Sequence, residues 1–94
     1  MKVKVQLFCG MRLVANASIV EMDIPENATV AELLEQLINR YGEPMSKEIK
    51  DPISGEYAST IILVNGSILS FEQGMSTVLS EGDTVAFLEV ITGG

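Results

Sequence analysis

The chain has 94 residues, 47% hydrophobic but only 5% aromatic, so it forms one small domain whose core must be built from Val, Ile, Leu and Met. It has no histidine and a single cysteine, Cys9, which excludes Ser-His and Cys-His nucleophile pairs, His-containing metal sites, thiolate cages and an intrachain disulfide framework. The net charge is -7 with no Lys or Arg after Lys50, which argues against nucleic acid as a ligand, and no apolar run approaches the ~20 residues of a membrane span.

Taken in chain order, Lys2 to Phe8 alternates with Val3, Val5 and Leu7 on one side, the period of a half-buried strand. The start Met1-Lys2-Val3-Lys4 alternates in the same way, where a signal peptide would show an apolar block. With one unpaired cysteine this fits a soluble, cytoplasmic protein in a reducing compartment. Cys9 to Ala17 is too long for a tight hairpin, and a helical turn fits around Met11 to Ala15. No cationic sequence neighbours Cys9 to lower its pKa, so it reads as an ordinary thiol. Ser18 to Ile24 is a second strand, with Val20, Met22 and Ile24 opposite Glu21 and Asp23, and Pro25-Glu26-Asn27 ends it.

The helix that follows is the best-defined element. Thr29 and Glu32 have the spacing of a capping box, in which the hydroxyl accepts from the Glu32 amide and the carboxylate reaches back. Val30, Leu33, Leu34, Leu37, Ile38 and Tyr41 then form a single apolar stripe, while Glu35, Gln36, Asn39 and Arg40 face water. Gly42 suits the position just past the helix, and Pro44 prevents its continuation. Glu43 to Ser59 is a mixed segment with two prolines, whose sequence is compatible with a functional loop, partial helix or mobility.

Thr60 to Val64 is a β-branched apolar run, and Asn65-Gly66 predicts a tight hairpin returning through Ser67 to Leu69. Ser80-Glu81-Gly82-Asp83 reads as another hairpin turn. The last strand, Thr84 to Ile91, is apolar on both faces, with Val85 and Phe87 on one and Ala86, Leu88 and Val90 on the other, so it belongs in the middle of a sheet. One of its faces covers the helix, and the other is available as a partner surface. It runs into Thr92-Gly93-Gly94. Without Cβ atoms two glycines make a thin arm able to enter a narrow channel, and a terminal carboxylate on it is ionised at neutral pH. The bland alternatives are a frayed end and an acidic surface that only aids solubility.

The order of elements, Val64-Asn65-Gly66, the segment Leu79 to Leu88 and Thr92-Gly93-Gly94 resemble the ubiquitin-like sulfur carriers, most of all the small subunit of molybdopterin synthase. Val5-Gln6-Leu7-Phe8, Arg12-Leu13 and Ile24 to Leu34 resemble it as well, so the likeness spans the chain. It implies an α+β fold, the ubiquitin-like β-grasp, with a mixed four- to five-stranded sheet and one main helix packed on one face. The domain would cover residues 1–91 and the arm residues 92–94.

The resemblance also implies a chemistry. A ubiquitin-activating-type enzyme adenylates Gly94 with ATP, and a sulfur donor protein converts it to a thiocarboxylate. The arm then enters the large synthase subunit, in a two-plus-two assembly, and sulfurates a pterin precursor of the molybdenum or tungsten cofactor. Gly94 is then the reacting residue, Thr92 and Gly93 pass through the partner channel, and Phe87 and Leu88 help docking. This chain itself holds no cofactor or metal and has no independent active site, and its partners include neither nucleic acid nor membrane. Carriers for thiamin and for tRNA thiolation share this ending, as do archaeal modifiers that attach to lysines, and fold alone does not separate them.

Overall fold

Side-chain alternation and helical spacing account for most of the architecture. The computed structural model describes residues 1–49 and 60–89. Its elements are β1 (Lys2–Leu7), α1 (Cys9–Ala15), β2 (Ile19–Asp23), α2 (Val30–Tyr41), α3 (Glu43–Ile49), β3 (Thr60–Val64), β4 (Ser67–Leu69), α4 (Phe71–Ser76) and β5 (Thr84–Glu89). The strands form one five-stranded sheet in the order β2-β1-β5-β3-β4. β1 and β5 are parallel and the other pairings antiparallel, so β5 lies in the middle of a mixed sheet, as its two apolar faces predict. The expected residues 90 and 91 of that strand lie outside the described residues.

One face of the sheet carries the core. Val3, Val5 and Leu7 of β1, Val20 and Met22 of β2, Ile62 of β3, and Val85 and Phe87 of β5 are all buried there. Against them packs the stripe of α2, with Val30, Leu33, Leu34 and Leu37 buried and Ile38 and Tyr41 partly so. Thr29 caps α2 as its sequence predicts, its hydroxyl accepting from the Glu32 amide at 3.3 Å. Arg40 reaches around the sheet edge and donates to the Glu21 carbonyl at 3.2 Å, satisfying an outward-facing group of β2.

Three further helices complete the packed layer, and each exceeds what the sequence pattern indicated. The turn expected near Met11 is the full helix α1, closed by Asn16 in the left-handed region with φ 54°. The segment after Gly42 begins as α3, because Pro44 ends α2 yet fits the first turn of the next helix, where its missing N–H costs nothing. Met45 and Ile49, four residues apart, anchor α3 in the core. Residues 50–59 lie outside the described residues. α4 was not expected at all. Ser70 caps it by accepting from the Gln73 amide, and Gly74 lets it lie directly on β3. A Cβ at Gly74 would stand 2.9 Å from both Cβ and Cδ1 of Ile62.

The turns divide into one confirmation and one correction. Asn65 and Gly66 both have positive φ, 50° and 85°, the requirement of a type I′ hairpin between β3 and β4. Ser80 to Asp83 is a tight turn, the Asp83 amide donating to the Ser80 carbonyl at 3.1 Å with Gly82 at φ 82°, but it is not a hairpin. The residues before it bond to the start of α2 instead, through Val30 N–H to the Thr77 carbonyl and Leu79 N–H to the Ala28 carbonyl. The turn then docks on β1, where the Lys2 amide donates to Glu81 Oε2 at 2.8 Å. Asn65 clips the two turns together: its Nδ2 donates to Asp83 Oδ1 at 3.0 Å, and its Oδ1 accepts from the Thr84 amide at 2.9 Å.

Candidate functional site

β5 is the last described element before the expected arm. Phe87 pairs with Leu7 on one side and Ile62 on the other, and Leu88 pairs with Ile61, so β5 is the middle strand of the sheet. Thr92, Gly93 and Gly94, the expected channel and reacting residues, lie outside the described residues. The two expected docking residues part company. Phe87 is 1% exposed in the core and presents no surface, because strand alternation turns it toward α2 along with Val85. Leu88 points the opposite way and is half-buried on the open face.

That open face carries an apolar row that crosses the whole sheet. The registers align Ile19 of β2 with Gln6 of β1, Gln6 with Ala86 of β5, Ala86 with Leu63 of β3, and Leu63 with Ile68 of β4. Four of the five are apolar, and the row ends in Ile19 at 54% and Ile68 at 72% exposure. Leu88 and Ile61 lie beside it, one pleat nearer the arm. On the other side the face becomes polar, with Lys4 opposite Glu21 and Lys2 opposite Asp23 as oppositely charged cross-strand pairs. An apolar row interrupted only by Gln6 and bordered by charge has the composition of a docking surface, since a face meant only for water would continue the polar alternation.

The rim at the start of α1 adds different chemistry. Where β1 ends, Phe8 is partly exposed and Leu13 of α1 is 81% exposed. Between them stands Arg12, whose guanidinium has no hydrogen-bond or ion-pair partner among the described residues. It lines a shallow concavity of about 200 Å³ with Gln6, Phe8, Ser18 and Ile19, next to another formed with Leu13 and Asn16. Arginine is among the residue types enriched where interfaces concentrate their binding energy, and Arg12 stands beside the exposed apolar Phe8 and Leu13. Sequence reasoning did not single out Phe8, Ile19 or Ile68. The signal was in phase: Ile19 shares its face of β2 with Glu21 and Asp23, and so stands out as an apolar residue on the polar side.

No reacting constellation accompanies this surface. Among the described residues no group of three or more His, Cys, Asp or Glu is placed to hold a metal ion, and Cys9 is an exposed free thiol. No helix among them is long and apolar enough to cross a membrane. The chemistry the described residues support is recognition.

Comparison with known proteins identifies the family and the fold. The sequence matches the ThiS family over residues 5–94. No curated protein sequence matches it significantly. Among solved structures, the chain is similar to a putative molybdopterin converting factor subunit 1 from Pyrococcus furiosus, with 29% identity, TM-score 0.73, and 97% of this chain and 99% of that one covered. It is similar to Urm1 from Trypanosoma brucei, with 25% identity, TM-score 0.74, and coverage of 99% and 95%. It also shares the fold of SAMP1 from Haloferax volcanii, with 21% identity, TM-score 0.80, and 100% of each chain covered. The fold is therefore the ubiquitin-like β-grasp that the resemblance implied.

Proposed function

The chain belongs to the ThiS family of ubiquitin-like sulfur carriers, and from this premise we propose that it carries sulfur as a thiocarboxylate on Gly94. The observation that carries the reading is that the family match runs to residue 94, so Gly93-Gly94 falls inside the family pattern. In the proposed cycle an oxygen of the Gly94 carboxylate attacks the α-phosphorus of ATP held by an activating enzyme, and pyrophosphate leaves. The terminal sulfur of a donor persulfide then attacks the acyl carbon and AMP leaves. A thiol of the partner cleaves the resulting S–S bond, forming a disulfide and freeing the thiocarboxylate. In this reading ATP and the persulfide sulfur belong to partners.

The division of labour follows from physical needs. The arm must be thin, which Gly93 and Gly94 supply, and its reacting end must be held in line by the enzyme, where positioning contributes most of the rate. Leu88, Leu63 and Ile68 supply an apolar seat for the enzyme, and Arg12 supplies a charge at its rim. We assign the sulfur to a pterin precursor of the molybdenum or tungsten cofactor, delivered inside a larger synthase subunit. Supporting this are the sequence segments shared with molybdopterin synthase small subunits and the likeness to the Pyrococcus furiosus protein.

A second reading, a modifier joined to lysines, is supported by the fold shared with SAMP1, a protein named as a small archaeal modifier. The cellular pool separates the two. A carrier is recovered mostly as free protein under denaturing conditions, with part of it ending in a thiocarboxylate. Abundant denaturation-resistant adducts, with Gly-Gly remnants on foreign lysines by mass spectrometry, would make modification the primary role.

A further inference from the structure

The turn between β3 and β4 carries a chemistry that sulfur transfer does not use. The asparagines of the chain are Asn16, Asn27, Asn39 and Asn65, and only Asn65 is followed by glycine. A residue without Cβ leaves its backbone nitrogen unobstructed and its backbone free to turn, so Asn-Gly is the pair best able to close into a succinimide. Both residues are exposed with positive φ, and among the described residues nothing lies within 4 Å of where a Gly66 Cβ would stand, so water reaches the pair. What restrains the side chain is its clip to β5. Asn65 Nδ2 donates to Asp83 Oδ1 at 3.0 Å, and Asn65 Oδ1 accepts from the Thr84 amide at 2.9 Å. The Asn65 amide itself donates to the Thr84 carbonyl at 2.8 Å, so the tip of the hairpin is tied to the first residues of β5.

We propose that Asn65 is a deamidation site, that the clip to Asp83 and Thr84 controls its rate, and that the product undoes the clip. The Gly66 nitrogen attacks Cγ of Asn65 and a C–N bond forms; the Cγ–Nδ2 bond breaks, and ammonia leaves with the Gly66 proton. Water then opens the ring at either carbonyl, giving aspartate, or isoaspartate with the backbone rerouted through the side chain. No other reactant is needed. With both ends of the side-chain amide held on β5, the reaction proceeds from the minority of molecules in which those bonds have opened. The product has lost its donor. Where Nδ2 faced Asp83 Oδ1, two carboxylates now meet, and Asp83 cannot turn away without releasing the Ser80 amide, which donates to its Oδ2 at 2.8 Å. Ile68 of the open row belongs to the same hairpin, so a link to partner docking follows, and that link alone rests on the open-face reading.

The test incubates the full chain at neutral pH, folded and in guanidinium chloride, and follows the amide-to-acid mass change by peptide mass spectrometry. The change should fall on Asn65 and run at least about tenfold faster in the denatured chain, because two hydrogen bonds no longer hold the side chain. Asp83→Ala should remove most of that protection, whereas Asp83→Asn, which keeps a carbonyl oxygen as acceptor, should retain it. In the aged chain and in Asn65→Asp, amide NMR shifts should centre on Ser80, Asp83 and Thr84 with the rest of the spectrum as in wild type. Equal rates in the folded and denatured chain, a folded Asp83→Ala as slow as wild type, or an Asn65→Asp spectrum unchanged at Asp83 and Thr84 would overturn the proposal. The wild-type rates and the Asn65→Asp spectrum decide it even where Asp83→Ala does not fold, and none of these readouts depends on sulfur transfer.

Discussion

The two faces of one sheet are built from the same strands, one residue out of phase, and they do opposite things. On β5, Val85 and Phe87 are buried against α2, whereas Ala86, itself buried, and the half-buried Leu88 lie on the opposite face. On β3, Ile62 belongs to the core and Leu63 to the open row. Hydrophobicity therefore does not distinguish them. The packed face is covered by the chain's own helices, and its apolar area stabilises the fold; the open face keeps an apolar row that this chain leaves for another molecule.

The largest effect that would break this comparison is at Phe87. Phe87→Ala removes a fully buried ring from the core and should cost about 3–5 kcal/mol in urea unfolding. Ile68→Ala, on the open row, should stay within about 0.5 kcal/mol of wild type. Similar losses for both would mean that the faces are not divided as described. Next in size is Leu88→Asp, which should weaken binding to the activating enzyme by about 2 kcal/mol or more, read by titration calorimetry, with a smaller loss of stability than Phe87→Ala. Unchanged binding would remove the open face from the docking account.

Gly74→Ala sharpens the comparison from the packed side. With Ile62 only 2.9 Å from the added methyl, either α4 or β3 must shift, and a loss of about 1–3 kcal/mol is expected from thermal or urea melts. Wild-type stability would show that α4 can move away freely. The smallest effect is Thr29→Ala, which removes the cap on α2 and should cost about 1 kcal/mol while leaving partner binding intact.

What the sequence revealed follows the same division. α2 was legible because a cap, a stripe and a terminal glycine agree over 12 residues, and the β3–β4 hairpin because Asn65-Gly66 permits few other conformations. The docking of α4 was not. Its Ser70 and Gln73 have capping-box spacing, yet Gly74 weakens helix propensity, and the reason for that glycine is a contact with Ile62 across the fold. The Ser80 to Asp83 turn was legible as a turn but not as a non-hairpin, because its partners, α2 and β1, are distant in sequence. The open row was half legible: Leu88 could be placed by alternation, but the alignment of Ile19, Ala86, Leu63 and Ile68 depends on strand order and register, which no local pattern specifies. Phe87 shows the converse, a residue whose apolar character suits docking but whose phase assigns it to the core.

The central claim is that the chain docks through its open face and accepts sulfur on its last residue. Its most direct test is the intact mass of the chain after incubation with its cognate activating enzyme, ATP and a persulfide donor. The account predicts a gain equal to one oxygen-to-sulfur exchange, localised to the peptide containing Gly94, abolished by deleting Gly94 and blocked by Gly93→Val with the fold unchanged. A mass that stays the same with the wild-type chain, or an exchange that survives loss of Gly94, would contradict it.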